Sequence, residues 1–136
     1  MSRILVLMGS ESDKPTMQKG VDVLLAAGVD VEVVVSSAHR QPEETVGLAR
    51  SAEAEGFGVV ICGAGLSAAL PGVVASNTGL PVIGVPISAG TLGGLDALLS
   101  IAQMPPGVPV ATVGIDNSRN AAHLALRILG RSAPAA

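Results

Sequence analysis

The sequence predicts an α/β fold, a three-layer sandwich in which helices cover both faces of a central parallel sheet. Three observations predict it. Short runs rich in Val and Ile are bounded by turn residues, and helical patterns lie between these runs. The composition is 49% hydrophobic and 14% charged, with no Trp, no Tyr and one Phe, so the core must consist of small aliphatic side chains. Strand and helix alternate along the chain, as they do when parallel strands are joined by helical crossovers.

The apolar runs are predicted to be buried strands because each is short and continuous rather than alternating with polar residues. Continuous runs are typical of parallel strands that are covered on both faces. The runs are Ile4 to Met8, Val31 to Val35, Val59 to Cys62, Val82 to Val85, and Val108 to Val113. With right-handed crossovers, such a sheet is most like the flavodoxin type, a flavodoxin-like fold.

The first helix is predicted to follow the first strand. Its apolar residues recur at i, i+4, i+7 and i+8 on one face, namely Met17, Val21, Leu24 and Leu25. Ser12 or Asp13 is the expected N-cap, and Gly28 lies beyond the C-terminus.

Two further helices are marked by their first turns. One begins at Pro42, carries two glutamates where the helix dipole favours them, and ends before Gly56. The last helix is expected to be capped near Asp116 or Asn117. Its apolar stripe consists of Ala121, Leu124, Ala125, Ile128 and Leu129.

The length of 136 residues predicts one domain, placed at residues 1–130, and the small, proline-containing tail, residues 131–136, is expected to be disordered. Cys62 has no second cysteine to pair with, which fits a reducing compartment. The apolar run at the start is too short for a signal peptide or a membrane span. We therefore expect a cytoplasmic protein that does not associate with membranes.

The charge and hydropathy of the chain indicate its partners. A net charge of −3 provides no broad basic field, so nucleic acid is not an expected partner. So many apolar residues with so few charges suggest that apolar faces are covered by other subunits. We expect a homo-oligomer.

The segments that follow the strands are the candidate site, because ligands of such folds bind outside the carboxyl ends of the strands. These segments are GSESD (9–13), SSAHRQP (36–42), GAGLSAALPG (63–72) and PISAGTLGGLD (86–96). In GSESD, hydroxyls and backbone amides at a helix N-terminus can bind a phosphate, or Ser12 or Asp13 can simply cap the helix. In GAGLSAALPG, small residues allow either close approach to a ligand or close packing of helix on sheet.

His39 and Arg40 should emerge at the same rim as GSESD. Arginine binds phosphate through two hydrogen bonds, and histidine exchanges a proton near neutral pH. The alternative is that His39 only closes a turn. His123, in the last helix, is interpreted as a surface or core residue, and Cys62 as a small core residue. The residues alone therefore indicate a small anionic ligand, such as a phosphate ester, beside an acid/base histidine, and they name no reaction.

Five segments together, MGSESD, SAHRQP, ALPGVVASNTGLPVIGVP, GLDALLSIAQMPPGVPVATVGI and NAAHLALRIL, resemble one enzyme family over about residues 4 to 129. The family contains the purine-biosynthetic mutase that converts 5-(carboxyamino)imidazole ribonucleotide to 4-carboxy-5-aminoimidazole ribonucleotide, and the related phosphoribosylaminoimidazole carboxylase. The resemblance implies the flavodoxin-like sandwich, an octamer with sites at subunit junctions, a ribonucleotide substrate and no cofactor or metal.

The resemblance also implies roles for individual residues. His39 matches the catalytic acid/base, and Asp13 matches a residue that binds the ribose hydroxyls. The remaining matches are phosphate-binding positions, Ser10, Ser12 and Arg40, and positions that enclose the imidazole and carboxylate, Ser37, Ala38, Gly65 and Leu70.

One loop departs from the mutase pattern. Ala69 stands where the common bacterial mutase has a second histidine, and Ser67 aligns with a serine of the carboxylase branch, which uses free carbon dioxide. Arg40 favours the mutase, since the carboxylase usually has lysine there. We therefore expect a mutase, with the carboxylase as the alternative and a non-catalytic phosphate-ester binding module as the second.

Overall fold

The computed structural model describes residues 3–132 of the chain. Its five strands are β1 (Arg3–Met8), β2 (Asp30–Val35), β3 (Phe57–Ala64), β4 (Val82–Pro86) and β5 (Ala111–Thr112). Its helices are α1 (Lys14–Ala26), α2 (Pro42–Ser51), α3 (Leu70–Ala75), α4 (Leu95–Ala102) and α5 (Ser118–Ile128), with a 3-10 turn at Glu11–Asp13.

The strands form one parallel sheet in the order β2-β1-β3-β4-β5. This is the strand order of flavodoxin-like folds, and it reverses direction between β1 and β3. The fold class predicted from the sequence is therefore confirmed. The carboxyl ends of β1, β2 and β3 lie side by side at the reversal, which brings the segments that follow them to one rim.

The core is divided by the sheet into two apolar layers. One layer packs α1 and α5 on the sheet, through residues such as Met17, Leu24 and Leu126. The other packs α2, α3 and α4 on the opposite face, through residues such as Ala49 and Ile101. Alternate residues of β1 and β3 enter each layer, so the central strands are buried on both sides, as their continuous apolar runs predicted.

Two strands differ from the prediction. The run Val31 to Val35 is not fully buried, because β2 is an edge strand, and Val33 is 40% exposed. The run Val108 to Val113 is strand only at Ala111–Thr112. Pro109 has no amide hydrogen for a ladder, and the amide of Val108 instead donates to the Pro105 carbonyl in a turn.

The start of α1 also differs in detail. Asp13 occupies the N-cap position but its side chain makes no capping hydrogen bond. Ser10 supplies the cap one turn earlier, since its Oγ accepts from the Ser12 amide at 3.3 Å. At α5 the expected cap is observed, because the Asn117 side chain accepts from the Asn120 amide.

The predicted domain boundary and disordered tail stay predictions, since residues 133–136 lie outside the described range. Within that range, Arg131 donates from its side chain to the Ala27 carbonyl at 3.0 Å, which ties the end of α5 to the end of α1. Among residues 3–132, no helix is long and apolar enough to cross a membrane.

Candidate active site at the carboxyl edge of the sheet

One cavity of about 360 Å³ opens at the rim where β1, β2 and β3 end. It is lined by every site residue predicted from the sequence, namely Ser10, Ser12, Asp13, Ser37, Ala38, His39, Arg40, Gly65, Ser67 and Leu70. The volume lies in the range typical of small-molecule sites. Three segments far apart in sequence therefore form one site.

The β1 segment provides a cluster of hydroxyls beside a buried carboxyl group. The Oγ atoms of Ser10 and Ser12 are 2.9 Å apart. Asp13 is only 9% exposed, and burial raises the pKa of its carboxyl group, while a hydrogen bond from the Ser10 backbone acts in the opposite direction. The hydroxyls face the cavity together with the amino end of the helical segment, which is the arrangement expected for binding an anion.

The β2 segment is a turn whose hydrogen bonds send His39 and Arg40 outward. The Arg40 amide donates to Ser37 Oγ at 3.1 Å, and the Gln41 amide donates to the Ser37 carbonyl at 2.8 Å. The side chains of His39 and Arg40 are both exposed at the rim. Ser37 therefore shapes the turn from inside the loop as well as lining the cavity.

This turn is anchored from beneath by a buried hydroxyl pair, Ser36 and Thr45, whose oxygens are 2.8 Å apart. Thr45 donates its hydrogen to the Gln41 carbonyl at 3.0 Å, so the Ser36 hydroxyl must be the donor to Thr45. A hydroxyl group that is buried needs such partners, since an unpaired one would destabilise the fold. The motif SSAHRQP includes Ser36 but not Thr45, and nothing in the pattern distinguishes the buried Ser36 from Ser37.

His39 is held by the β3 segment. Its Nε2 lies 3.0 Å from the Ser67 carbonyl oxygen. A carbonyl oxygen only accepts, so Nε2 carries a hydrogen, and in the neutral ring Nδ1 is the nitrogen left to take a proton. Ser67 has a φ of 36°, in the left-handed region, which costs a non-glycine residue on the order of 1 kcal/mol. A strained backbone therefore presents the carbonyl that orients the imidazole.

The floor of the cavity is made by small residues that pack closely. A Cβ placed on Gly65 would lie 3.0 Å from the Ile87 carbonyl oxygen and 3.2 Å from the Ala89 Cβ. Glycine is required here by the segment after β4 rather than by a ligand alone. The two interpretations of this stretch, close packing and a ligand wall, therefore hold together.

Three cavity residues were not selected from the sequence: Gly9, Leu66 and Ala89. All three lie in the segments that follow strands β1, β3 and β4. Ala89 carries no chemical signal of its own, and Leu66, which is 60% exposed, looks in sequence like a core leucine.

Three other features predicted from the sequence lie beside or away from this cavity. Ala69 lines an adjoining cavity of about 630 Å³ that shares His39 and Ser67 with the site. His123 is partly buried on α5 and lines a different cavity with Asn120 and Arg127. Cys62 is buried in β3, and burial raises the pKa of its thiol, which is therefore unreactive. In the part of the chain that the structure describes, no group of three or more His, Cys, Asp or Glu side chains is placed to hold a metal ion.

The fold and the site together define a flavodoxin-like α/β protein with a small-ligand cavity at its strand-order reversal. The description AIR carboxylase belongs to the family model that matches residues 3–136. The chain is a member of this family, and the membership predicted from the sequence is confirmed.

Individual relatives agree with this assignment. The N5-carboxyaminoimidazole ribonucleotide mutase of Pyrococcus horikoshii is 56% identical over 129 residues, covering 95% of this chain and 73% of the relative. The mutase of the same name from Thermotoga maritima is 52% identical, covering 98% and 78%. The chloroplastic phosphoribosylaminoimidazole carboxylase of Vigna aconitifolia is 55% identical, covering 91% of this chain and 22% of that protein. The crystal structure of Treponema denticola PurE matches with a TM-score of 0.82 at 31% identity, covering 94% of this chain and 80% of that chain.

Proposed function

We propose that this enzyme is an N5-carboxyaminoimidazole ribonucleotide mutase of purine biosynthesis, which converts 5-(carboxyamino)imidazole ribonucleotide to 4-carboxy-5-aminoimidazole ribonucleotide. The observation that carries the proposal is the convergence of all the matched site residues on one cavity, with His39 held at its rim by the Ser67 carbonyl. The names of the relatives from Pyrococcus horikoshii and Thermotoga maritima support the same activity.

The phosphate of the substrate binds, in this proposal, between the β1 segment and Arg40. The hydroxyls of Ser10 and Ser12 donate to the phosphate oxygens, and the guanidinium of Arg40 adds charge-assisted hydrogen bonds. Asp13 accepts hydrogen bonds from the ribose hydroxyls. Binding energy from this end, which does not react, keeps the ring oriented over His39.

His39 acts as acid and then as base. The protonated imidazole donates a proton to the nitrogen as its bond to the carboxyl carbon breaks, releasing carbon dioxide and leaving an electron-rich aminoimidazole ring. The ring carbon then attacks carbon dioxide to form the new carbon–carbon bond. Neutral His39 removes the proton from that carbon, which restores aromaticity and returns the imidazole to its protonated state. Since the Ser67 carbonyl engages Nε2, Nδ1 is the nitrogen assigned to this exchange.

Retention of carbon dioxide between the two steps requires a closed, dry wall. Ala38, Gly65 and Leu70 form that wall in the proposal, and Ser37 lies beside it. None of the three wall residues has a polar side chain that could bring water toward the gas. Ser67 contributes mainly through its backbone.

A homo-oligomer, an octamer in the family pattern, is part of the proposal, as is a cytoplasmic location. Three leucines at and before α4 support an assembly, since Leu92 is 62%, Leu95 is 51% and Leu99 is 52% exposed. Leu95 and Leu99 are four residues apart and lie on one side of α4, with Leu92 in the turn before it. Exposed leucines of this kind are typical of a surface that another chain covers.

The test is an isotope experiment on the purified protein. It is mixed with the carboxyamino isomer in labelled bicarbonate with carbonic anhydrase, and product formation is followed together with label in the new carboxylate. Rapid conversion with little label is expected of the mutase. Aminoimidazole ribonucleotide is supplied in a second reaction. If it incorporates label while the isomer is not used, the protein is the carboxylase. If neither compound reacts, only the binding module remains.

A further inference from the structure

Asp116 joins the loop after β5 to the loop after β4. Its Oδ1 accepts from the Ser88 amide and its Oδ2 from the Ser88 hydroxyl, both at 2.8 Å, and its own amide donates to the Pro86 carbonyl at 2.7 Å. The strand ladder between β4 and β5 pairs only Ile83 with Ala111 and Gly84 with Thr112. Asp116 therefore continues the connection between the two loops well beyond the ladder.

The conformation of Asp116 is unusual for a residue with a side chain. Its φ is 61°, in the left-handed region, where glycine is favoured. Aspartate tolerates this region better than most residues because its short side chain can form hydrogen bonds locally. Here that side chain reaches a segment 28 residues away in the sequence instead.

The loop that Asp116 holds is part of the site wall. Ser88 lies between Ile87 and Ala89, whose carbonyl oxygen and Cβ are the two nearest atoms to the Cβ position of Gly65. Ala89 itself lines the cavity. The Ile87 amide also donates to the Ala64 carbonyl at 3.0 Å. The position of this short loop therefore fixes the position of Gly65 in the cavity wall.

We infer that Asp116 is a positioning residue for the reaction: its carboxylate holds Ser88 so that Ala89 and Gly65 close the wall that retains carbon dioxide. The inference rests on the proposed function. Asp116 is not among the residues that line the cavity, so its loss should leave phosphate and ribose binding intact. Loss of Asp116 should instead loosen the fit of the cavity wall around the reacting ring.

The test compares kcat, KM and label entry in three variants of the full chain. Asp116→Gly removes the carboxylate and keeps the left-handed backbone free of strain, so it should lower kcat about tenfold, change KM by less than about threefold, and raise label entry per turnover. Asp116→Asn keeps Oδ1 as an acceptor for the Ser88 amide, and its amide group can donate to the Ser88 hydroxyl, so it should restore most of kcat and retention. Asp30→Ala, which removes an exposed carboxylate bonded to Arg3 at the start of β2, is the matched control and should behave as wild type.

Label entry is the decisive readout, because a purely structural loss would lower the active fraction without making each turnover leak. Wild-type retention of carbon dioxide in Asp116→Gly, whatever its kcat, would overturn the inference. Should that variant fail to fold, Ser88→Ala, which removes one of the two hydrogen bonds, must still raise label entry, and full retention there would overturn the inference equally. Failure of the wild-type protein to convert the isomer would overturn the proposed function itself, and the inference with it.

Discussion

Arg40 and His39 are neighbours in the chain but serve different ends of the proposed substrate. Arg40→Ala should therefore raise KM about tenfold or more and change kcat much less, because a charge-assisted contact to the phosphate is lost while the proton exchange is kept. Steady-state kinetics on the carboxyamino isomer measure both constants. Arg50→Ala, which removes an exposed cation from the last turn of α2, is the control. An unchanged KM for Arg40→Ala would place the phosphate elsewhere.

Asp13 is expected to lower the stability of the free enzyme while serving the site. Because burial raises the pKa of this carboxyl above its ordinary value of 3.8, the folded state holds the proton more tightly than the unfolded state does. The free energy of unfolding should therefore fall as the pH rises from 3.8 through the raised pKa. Asp13→Asn should remove this fall and increase stability at neutral pH, while weakening substrate binding.

Urea unfolding of the wild type and Asp13→Asn at several pH values measures this dependence. If the free energy of unfolding changed with pH in the same way in both proteins, the raised pKa assigned to Asp13 would be contradicted. Asp22→Asn, on the exposed side of α1, provides the comparison for loss of a surface carboxylate.

The site residues that could be predicted from sequence were those with chemistry of their own. His39, Arg40 and the serines of GSESD are polar residues at strand ends, and the roles proposed for them come from the resemblance to a family. Ala89 could not be found this way, because its part in the wall depends on the close approach of its loop to Gly65, which follows the neighbouring strand β3. The sequence predicts Asp116 only as a cap of the last helix, since no local pattern reveals a partner 28 residues away.

At the scale of the elements, the packing of α1 on α5 depends on Gly20. A Cβ there would collide with the Ser118 carbonyl, and the Gly20 amide donates to Ser118 Oγ at 3.0 Å. Gly20→Ala should therefore destabilise the protein by about 1–3 kcal/mol, the usual cost of overpacking. Gly47→Ala is the matched control in α2, where a Cβ would meet nothing within 4 Å, and should stabilise by about 0.5–1 kcal/mol. Equal effects of the two substitutions on the unfolding midpoint would contradict this account.

The elements that the sequence predicted best were the strands whose burial agrees with their own composition. β1 and β3 are central and continuous, so their runs gave the correct bounds to within a few residues. β2 was expected to be buried, but its place at the sheet edge is decided by strand order and not by its composition. At β5, Pro109 disfavours a long strand. The apolar content of the run nevertheless predicts a strand from Val108 to Val113, which is longer than the observed Ala111–Thr112.

For the molecule as a whole, the exposed leucines of α4 predict an assembly. Replacing both Leu95 and Leu99 with serine should lower the mass measured by light scattering, because the apolar surface would no longer repay the entropy lost on association. Leu25→Ser, which replaces a similarly exposed leucine on α1, is the control. An unchanged mass in the double variant, or a monomeric wild type, would contradict the expected interface.

The central claim is that His39, at the rim of this cavity, transfers the proton in both half-reactions. The most direct test is His39→Asn, with turnover of the carboxyamino isomer and substrate affinity measured on the same preparation. The account predicts a loss of turnover of about 10²- to 10⁴-fold, the usual contribution of a general acid/base, with folding and phosphate binding retained. Near-normal turnover in this variant would contradict it.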